Sequence, residues 1–217
     1  MWDDLRADPS HRLAPAELIA YIEPIAPAPA GQRFAYSNTN YVLLGQLVER
    51  LDGADLGTAL QARISEPLGL HATRFDTAAA APPEGLAAGW AHEMLDGGVD
   101  DVYDAIASAA WAAGALVSTT GDLAAFLAAL FGGRLISDAV LAEMTVPGPE
   151  GYGLGLATGV DFSFGPGRVG YGHGGAIPGY RASMSIAPDS GDTLVVLVNN
   201  EDIRIDILTN RILEAGW

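Results

Sequence analysis

The stretch FAYSNTNYVLL, residues 34–44, places three hydrogen-bonding side chains directly before a strongly apolar segment. The apolar residues recur at helical spacing through Leu51, and Gly53 supplies a C-terminal stop, so the pattern predicts a helix. Ser37 or Asn38 could cap this helix, because a side-chain oxygen there can accept from the first-turn amides. Alternatively, Tyr36, Ser37 and Asn38 line a catalytic cleft. Other parts of the sequence are needed to choose between these two interpretations.

The bulk composition is that of a globular protein. The chain has 217 residues, of which 49% are hydrophobic and 18% are charged. No apolar run approaches the roughly 18 residues that a membrane span requires, so no membrane span is predicted. The opening segment MWDDLRADPSHR lacks the basic and apolar regions of a signal peptide. Any export signal would have preceded residue 1, so the sequence assigns no compartment.

The charged residues exclude several kinds of chemistry. The formal net charge is −16, which disfavours nucleic acids and anionic membranes as partners. All 11 basic residues are arginines, and a guanidinium does not lose its proton at working pH. A lysine-type general base is therefore absent. The chain also contains no cysteine, which excludes disulfides, thiolate metal sites and cysteine nucleophiles.

Hydrophobic periodicity and turn residues predict an α+β fold. Residues 1–147 are expected to form a mainly helical region, and residues 148–217 an antiparallel sheet with a C-terminal helix, as one continuous unit. Further helices are predicted over Pro15–Ile22, over Leu56–Ser65 with Pro67 as its end, after Thr119 and Asp122 up to Gly132, and after Ser137.

Strands are predicted within YGLGLATGV, GRVGYGHGG, YRASMSIAP and TLVVLVNN, which Gly and Pro turns separate. Residues 188–192 should form a hairpin turn. Because Leu194–Val198 is continuously apolar, that strand is expected to be covered on both faces. Ile205, Leu208 and Ile212 mark a helix that can pack on the sheet.

Two sequence patterns that often indicate a ligand site do not predict one here. Gly170, Gly172 and Gly175 satisfy the dinucleotide pattern G-x-G-x-x-G, but the strand-like AIPGYRASMS follows where a helix is required. The four histidines form no i, i+4 pair, and the acidic residues between 96 and 104 miss the spacing of a calcium loop. The sequence therefore predicts no cofactor and no metal site.

Six segments taken together and in order resemble one family. They are PAGQRFAYSNTNYVLLGQLVERLDG, EPLGLHATRF, AAGALVSTTGDLAAFLAALF, YGLGL, GHGGAIPGYRASMSIAPDSG and VVLVNN. From Leu13 to Asn200 the chain resembles the penicillin-recognising serine hydrolases, which include class C β-lactamases, D-alanyl-D-alanine carboxypeptidases and related esterases. The resemblance implies a β-lactamase/transpeptidase-like fold.

The resemblance also implies roles for the opening stretch. Tyr36-Ser37-Asn38 matches the family's Y-x-N motif. Tyr36 would then be the proton shuttle, and the amide of Asn38 would hold the acylamide group of the substrate. A phenol is a poor base at neutral pH unless nearby cations stabilise its phenolate, and the family uses a lysine for that task. Both readings of the opening stretch can hold: Ser37 or Asn38 caps the helix while Tyr36 faces the cleft.

A second motif, His173-Gly174-Gly175, matches the family's K/H-T/S/G-G strand. His173 would polarise the site or contact the carboxylate end of the substrate. Gly174 and Gly175 would allow close approach of substrate backbone to the strand edge. The backbone N–H of Ala176 would supply half of an oxyanion hole, a contribution of about 3 kcal/mol to the transition state.

The chain departs from the family at the nucleophile. The family's S-x-x-K motif cannot occur in a chain without lysine, and we expect Met1 to begin just past the loop after the nucleophile helix. Gly174 replaces the hydroxyl residue of the stricter strand motif, which an esterase or general hydrolase tolerates better.

These observations predict part of a serine hydrolase that acts through an acyl-enzyme. Its substrates would be D-Ala-terminated peptides, β-lactams or small esters, and the chain alone would be inactive. The alternative is a non-catalytic binding module for cell-wall peptides or for a partner protein. Loss of the nucleophile region would expose an apolar face and favour self-association or a complementary N-terminal fragment.

Overall fold

The computed structural model describes the chain except for residues 2–3, 6–7, 9–10, 22–30, 33, 76, 78–83, 92–102, 149, 159–161, 163, 166 and 217, and the side chains of 103–106. Its helices are α1 (Pro15–Ala20), α2 (Asn38–Asp52), α3 (Leu56–Leu60), α4 (Glu66–Leu68), α5 (Tyr103–Ala110), α6 (Thr120–Phe131), α7 (Asp138–Met144) and α8 (Ile205–Ala215). Its strands are β1 (Arg74–Phe75), β2 (Leu116–Val117), β3 (Ala157–Thr158), β4 (Tyr171–Ile177), β5 (Tyr180–Ala187) and β6 (Asp192–Val198).

Helix α2 confirms the helix predicted from the opening stretch. Ser37 occupies the N-cap position with extended backbone, but its side chain makes no capping hydrogen bond. Gly53 ends the helix in the left-handed region at φ 67°, where a residue without Cβ is unstrained. Asn38 is the first residue of the helix, so its side chain lies at the helix entrance rather than in the core.

The face of α2 that packs inward lies against a short 3₁₀ turn, Trp111–Ala113. Gly45 makes this possible, because a Cβ there would lie 2.5 Å from the Cβ of Ala112 and 2.9 Å from the Trp111 ring. The Trp111 ring belongs to a buried cluster that holds the helices together. Its buried members are Leu5, Leu13, Leu18, Val42, Leu56 and Trp111.

The helix predicted from Leu56 forms, but Pro67 does not end it. A π-helical turn, Gln61–Ser65, follows α3, and the N–H of Glu66 bonds to the carbonyl of Gln61. This i→i+5 register separates the proline from the preceding ladder, so its missing N–H and its ring no longer interrupt the helix. The helical path therefore continues through α4 and ends at Gly69, at φ 68°.

The capping predictions for α6 and α7 are confirmed. Thr119 accepts a hydrogen bond from the N–H of Asp122, and Ser137 accepts one from the N–H of Val140. The Asp122 carboxylate instead accepts from the Ala72 amide and from the Thr73 hydroxyl. Helix α1 begins at Pro15 as predicted and ends at Ala20, while Ile22 and the acidic segment before residue 103 lie outside the described residues.

The C-terminal part forms a four-stranded antiparallel sheet in the order β3-β4-β5-β6. Strands β4 and β5 are joined by a two-residue turn in which Gly179 has φ 76°, and β5 and β6 by the predicted hairpin at 188–191. Helices α6 and α8 pack on β5 and β6, which confirms that the C-terminal helix contacts the sheet. Gly172 and Gly175 lie within β4, and a strand follows them, so the dinucleotide motif lacks its helix.

Two strand predictions are corrected by the structure. Within the predicted strand YGLGLATGV only Ala157–Thr158 forms a strand, β3, whereas YGLGL is a loop in which Gly155 takes φ 75°. The last strand, β6, is not covered on both faces: Leu197 is 37% exposed and only Val196 is buried. The side chain of Leu197 therefore lies on a face of β6 that is partly open to solvent.

None of the helices in the described part of the chain is long and apolar enough to cross a membrane.

Candidate functional site

Tyr36 and His173 come together at one side of β4, although they arise from opposite ends of the chain. Tyr36 precedes α2, and His173 is the third residue of β4. Their ring centroids are 6.3 Å apart. The Y-x-N stretch and the strand motif therefore meet in space.

Tyr36 is held by aromatic contacts. Its ring packs edge-on against Tyr152 at 5.6 Å and tilted against Tyr41 at 6.0 Å. Its side chain is nevertheless 48% exposed, and within the described residues its hydroxyl has no hydrogen-bond partner. The hydroxyl end of the phenol is thus open to solvent while its ring is held by its aromatic neighbours.

The pKa of Tyr36 lies above the ordinary tyrosine value. Burial is the main cause, and the nearby Tyr41 adds to it. Burial disfavours the phenolate because the charged form loses solvation. Tyr36 therefore keeps its proton at neutral pH. Its use as a base would need a nearby cation, and among the described residues no cation lowers its pKa.

His173 is hydrogen-bonded through both ring nitrogens. Its Nδ1 lies 2.6 Å from the carbonyl oxygen of Gly174, and its Nε2 lies 2.9 Å from the hydroxyl of Tyr152. The Tyr152 hydroxyl in turn lies 2.5 Å from that of Tyr41. This arrangement fixes the orientation of the imidazole ring against Tyr36.

Tyr152 and Tyr41 are site residues that sequence reasoning missed. Tyr152 stands in the YGLGL loop, and Tyr41 lies in the first turn of α2, five residues after Tyr36. The hydrogen bond between them spans 111 residues, and neither segment carries a local signal for it. Gly151 and Gly155, which take positive φ on either side of Tyr152, were a sequence signal for a loop at this position.

The remaining motif residues lie along β4. Gly174, Gly175 and Ala176 pair with Ser183, Ala182 and Arg181 of β5, and all three are exposed. Strand β3 pairs only with Tyr171 and Gly172. Among the described residues no strand covers the other edge of β4 beyond Gly172, so this edge can accept an extended ligand. Asn38 is exposed, and its amide makes no hydrogen bond within the described residues.

Metal ligation has no support from the arrangement of side chains. Within the described residues no group of three or more histidine, aspartate or glutamate side chains gathers in one place.

The helices, the antiparallel sheet and the two motifs beside β4 agree with the fold expected of the penicillin-recognising serine hydrolases. The family model described as Beta-lactamase matches residues 1–212. The chain therefore belongs to this family.

Three relatives illustrate the similarity. The D-stereospecific amidohydrolase from Streptomyces sp. is 31% identical, with a TM-score of 0.78 over 92% of this chain and 59% of that chain. The D-amino acid amidase from Ochrobactrum anthropi SV3, in complex with L-phenylalanine amide, is 32% identical, with a TM-score of 0.65 over 78% of this chain and 51% of that chain. Penicillin-binding protein 4 from Amycolatopsis lactamdurans is 30% identical over 76% of this chain and 47% of its own length. The chain thus spans about half the length of the relatives it matches.

Proposed function

We propose that this chain supplies the tyrosine–histidine side of a serine hydrolase cleft. The observation that carries the proposal is the meeting of Tyr36 and His173 beside the uncovered edge of β4. In this role Tyr36 shuttles a proton, Asn38 holds the acylamide group, and His173 polarises the site. Gly174 and Gly175 admit substrate backbone to the edge of β4, and the N–H of Ala176 donates to the developing oxyanion.

The substrates we propose are amides and peptides of D-amino acids, followed by β-lactams and small esters. The support is the similarity to a D-stereospecific amidohydrolase and to a D-amino acid amidase. The open edge of β4 suits an extended acyl chain, because backbone pairing with a strand edge fixes a peptide without selecting its side chains. Carboxypeptidase and esterase activity remain alternatives within this proposal.

The nucleophile must come from outside these residues. A serine–lysine pair of the family type cannot form where lysine is absent. We propose that a further segment or a partner supplies it, together with the second oxyanion donor. Without the lysine cation, the raised pKa of Tyr36 keeps the phenol protonated at neutral pH, so it cannot accept a proton.

Complementation tests the proposal. The part of the Streptomyces amidohydrolase that this chain does not match would be fused ahead of residue 1, and hydrolysis of D-phenylalanine amide would be followed. We expect activity that Tyr36→Phe lowers by roughly 10²–10⁴-fold, the usual worth of a proton-transfer group. Tyr21→Phe, which removes a surface hydroxyl bonded to Asp4, is the matched control. A folded fusion that hydrolyses no amide, ester or β-lactam contradicts the proposal.

A second candidate is a non-catalytic module that binds cell-wall peptides. The absence of lysine, together with an uncovered strand edge, favours it. Saturable binding of a D-Ala-D-Ala peptide by the chain, combined with an inactive fusion, would select this function.

Helix α2 carries an exposed leucine stripe, which could contact a partner. Leu43, Leu44, Leu47 and Leu51 lie on one side of the helix and are 49%, 53%, 48% and 75% exposed. Their positions recur at three- and four-residue intervals, which puts them on one face. We propose that this stripe is covered in solution, either by a second copy or by the segment that carries the nucleophile.

A further inference from the structure

The hydrogen bonds of His173 determine where its protons lie. The Gly174 carbonyl oxygen can only accept a hydrogen bond. The Nδ1 atom, 2.6 Å away, must therefore carry the ring proton. In the neutral ring Nε2 is then an acceptor, and its partner at 2.9 Å, the Tyr152 hydroxyl, must donate to it.

The polarity continues to Tyr41. A hydroxyl has one proton, so Tyr152 has none left for a second partner once it donates to His173. Its oxygen can only accept from the Tyr41 hydroxyl, which lies 2.5 Å away. The hydrogen bonds therefore all point in one direction: Tyr41 donates to Tyr152, Tyr152 donates to His173, and His173 donates to the Gly174 carbonyl.

The surroundings of Tyr152 suit a permanent donor. Its ring is half-buried, packing against Phe34, Tyr36 and His173 at centroid distances of 5.6 Å each. Burial first, and then the hydrogen bond with Tyr41, raise the pKa of Tyr152. The raised pKa keeps the proton on the Tyr152 hydroxyl at neutral pH.

We propose that Tyr152, oriented by Tyr41, is a positioning residue that holds His173 in the Nδ1–H tautomer with Nε2 occupied. Neither ring nitrogen then offers an unused N–H to a substrate carboxylate. A proton arriving at Nε2 would require both tyrosine hydroxyls to reverse, because Nε2–H would then donate to Tyr152 and Tyr152 to Tyr41. The role of His173 within the proposed function, on which this inference rests, is then to form a fixed polar wall against Tyr36.

Nuclear magnetic resonance of the imidazole nitrogens tests the proposal on the chain as it exists. In the ¹⁵N-labelled protein with neutral His173, long-range ¹H–¹⁵N spectra should show a protonated Nδ1 and an unprotonated, hydrogen-bonded Nε2. A protonated Nε2 would overturn the proposal without any variant.

Variants identify the donor. Tyr152→Phe keeps the ring and removes the hydroxyl, so the Nε2 resonance should move towards the frequency of an unbonded nitrogen. Tyr41→Phe should move it less, because it only removes polarisation of the Tyr152 hydroxyl. Tyr180→Phe is the matched control, since its hydroxyl donates elsewhere, to the Ala87 carbonyl, and should leave His173 unchanged. An Nε2 resonance that Tyr152→Phe does not move would overturn the assignment.

The spectra are independent of turnover. The expected tautomer in the chain, with an inactive complemented enzyme, would leave the positioning role intact and count against the proposed function. An active complemented enzyme in which His173 carries its proton on Nε2 would support the proposed function and contradict the positioning role of Tyr152.

Discussion

The rings of Tyr36 and Tyr152 pack against the imidazole of His173 at the candidate site, and both tyrosines have raised pKa values for the same reason. Burial disfavours the phenolate of Tyr36 and of Tyr152. Within the part of the chain that the structure describes, no cation offsets that effect at either phenol. At the scale of single residues, both phenols of the site are therefore protonated at neutral pH and can donate hydrogen bonds.

This arrangement predicts a loss of stability at alkaline pH. In the unfolded chain a tyrosine titrates near pH 10, whereas Tyr36 and Tyr152 titrate higher in the folded chain. The folded state then binds more protons, so their contribution is fully present below about pH 10 and is lost as pH rises towards the folded pKa values. Urea unfolding at a series of pH values from about 8 upwards should show this decline.

Tyr152→Phe removes one of the two groups. Its free energy of unfolding should be lower at neutral pH, because the hydrogen bonds to Tyr41 and His173 are lost, but should fall less steeply above about pH 10. Tyr171→Phe, on the same strand as His173 but packed against Phe131, serves as the control. Equal alkaline slopes for wild type and Tyr152→Phe would contradict the account.

The sequence motifs pointed to Tyr36 and His173, whose roles stay predictions, but not to Tyr41 and Tyr152, which contact them. The two motifs are local in sequence, so a resemblance can locate them. The Tyr41–Tyr152 bond depends on a loop whose path is set by Gly151 and Gly155 and by close packing of Gly153 against Met144. Alternating apolar residues in that loop were read as a strand because periodicity does not report such contacts.

At the scale of elements, the position of Tyr36 depends on how closely α2 approaches the Trp111 turn. Gly45 permits this approach, and Trp111 itself has φ 35°, a conformation that a bulky residue rarely adopts. The entrance of α2, and with it Tyr36 and Asn38, is held in place by this contact.

Gly45→Ala should therefore destabilise the chain. The added Cβ would gain up to about 1 kcal/mol of helix propensity, but overpacking against Ala112 and Trp111 costs roughly 1–3 kcal/mol. We expect a net loss on the order of 1–2 kcal/mol in urea unfolding. Gly121→Ala in α6 is the matched control, because the nearest atom to its Cβ is 3.9 Å away, and it should be neutral or stabilising. A Gly45→Ala chain as stable as the control would contradict this packing.

The element predictions that failed did so for identifiable reasons. Helix ends at Gly53, Thr119 and Ser137 follow from local backbone chemistry and were predictable. Continuation through Pro67 required a π-helical register that the spacing of residues does not show. The exposure of Leu197 depends on what covers each face of β6, a property of the assembled fold.

At the scale of the whole molecule, the helical part and the sheet share contacts on several sides. Tyr41 bonds to Tyr152, and Trp90 pairs with Asn200. We propose that residues 1–147 and 148–217 form one continuous unit, consistent with the fold shared with the relatives.

The leucine stripe on α2 predicts self-association of the isolated chain. Apolar burial favours it, while a net charge of −16 opposes it, so added salt should strengthen association by screening. Sedimentation velocity at micromolar concentration should show an oligomer that a Leu47→Glu/Leu51→Glu variant loses. Ile207→Glu, an exposed apolar position on α8, should have no effect. A monomer at both low and high salt would argue against the stripe as an interface.

The central claim is that this chain carries the tyrosine–histidine side of a hydrolase cleft but not its nucleophile. The most direct measurement is the intact mass of the purified chain after incubation with a fluorophosphonate and, separately, with a fluorescent penicillin. The account predicts an unmodified mass with both reagents, because no serine here has a lysine to activate it. A single stoichiometric adduct would show that one of these serines is activated without lysine, and would contradict the account.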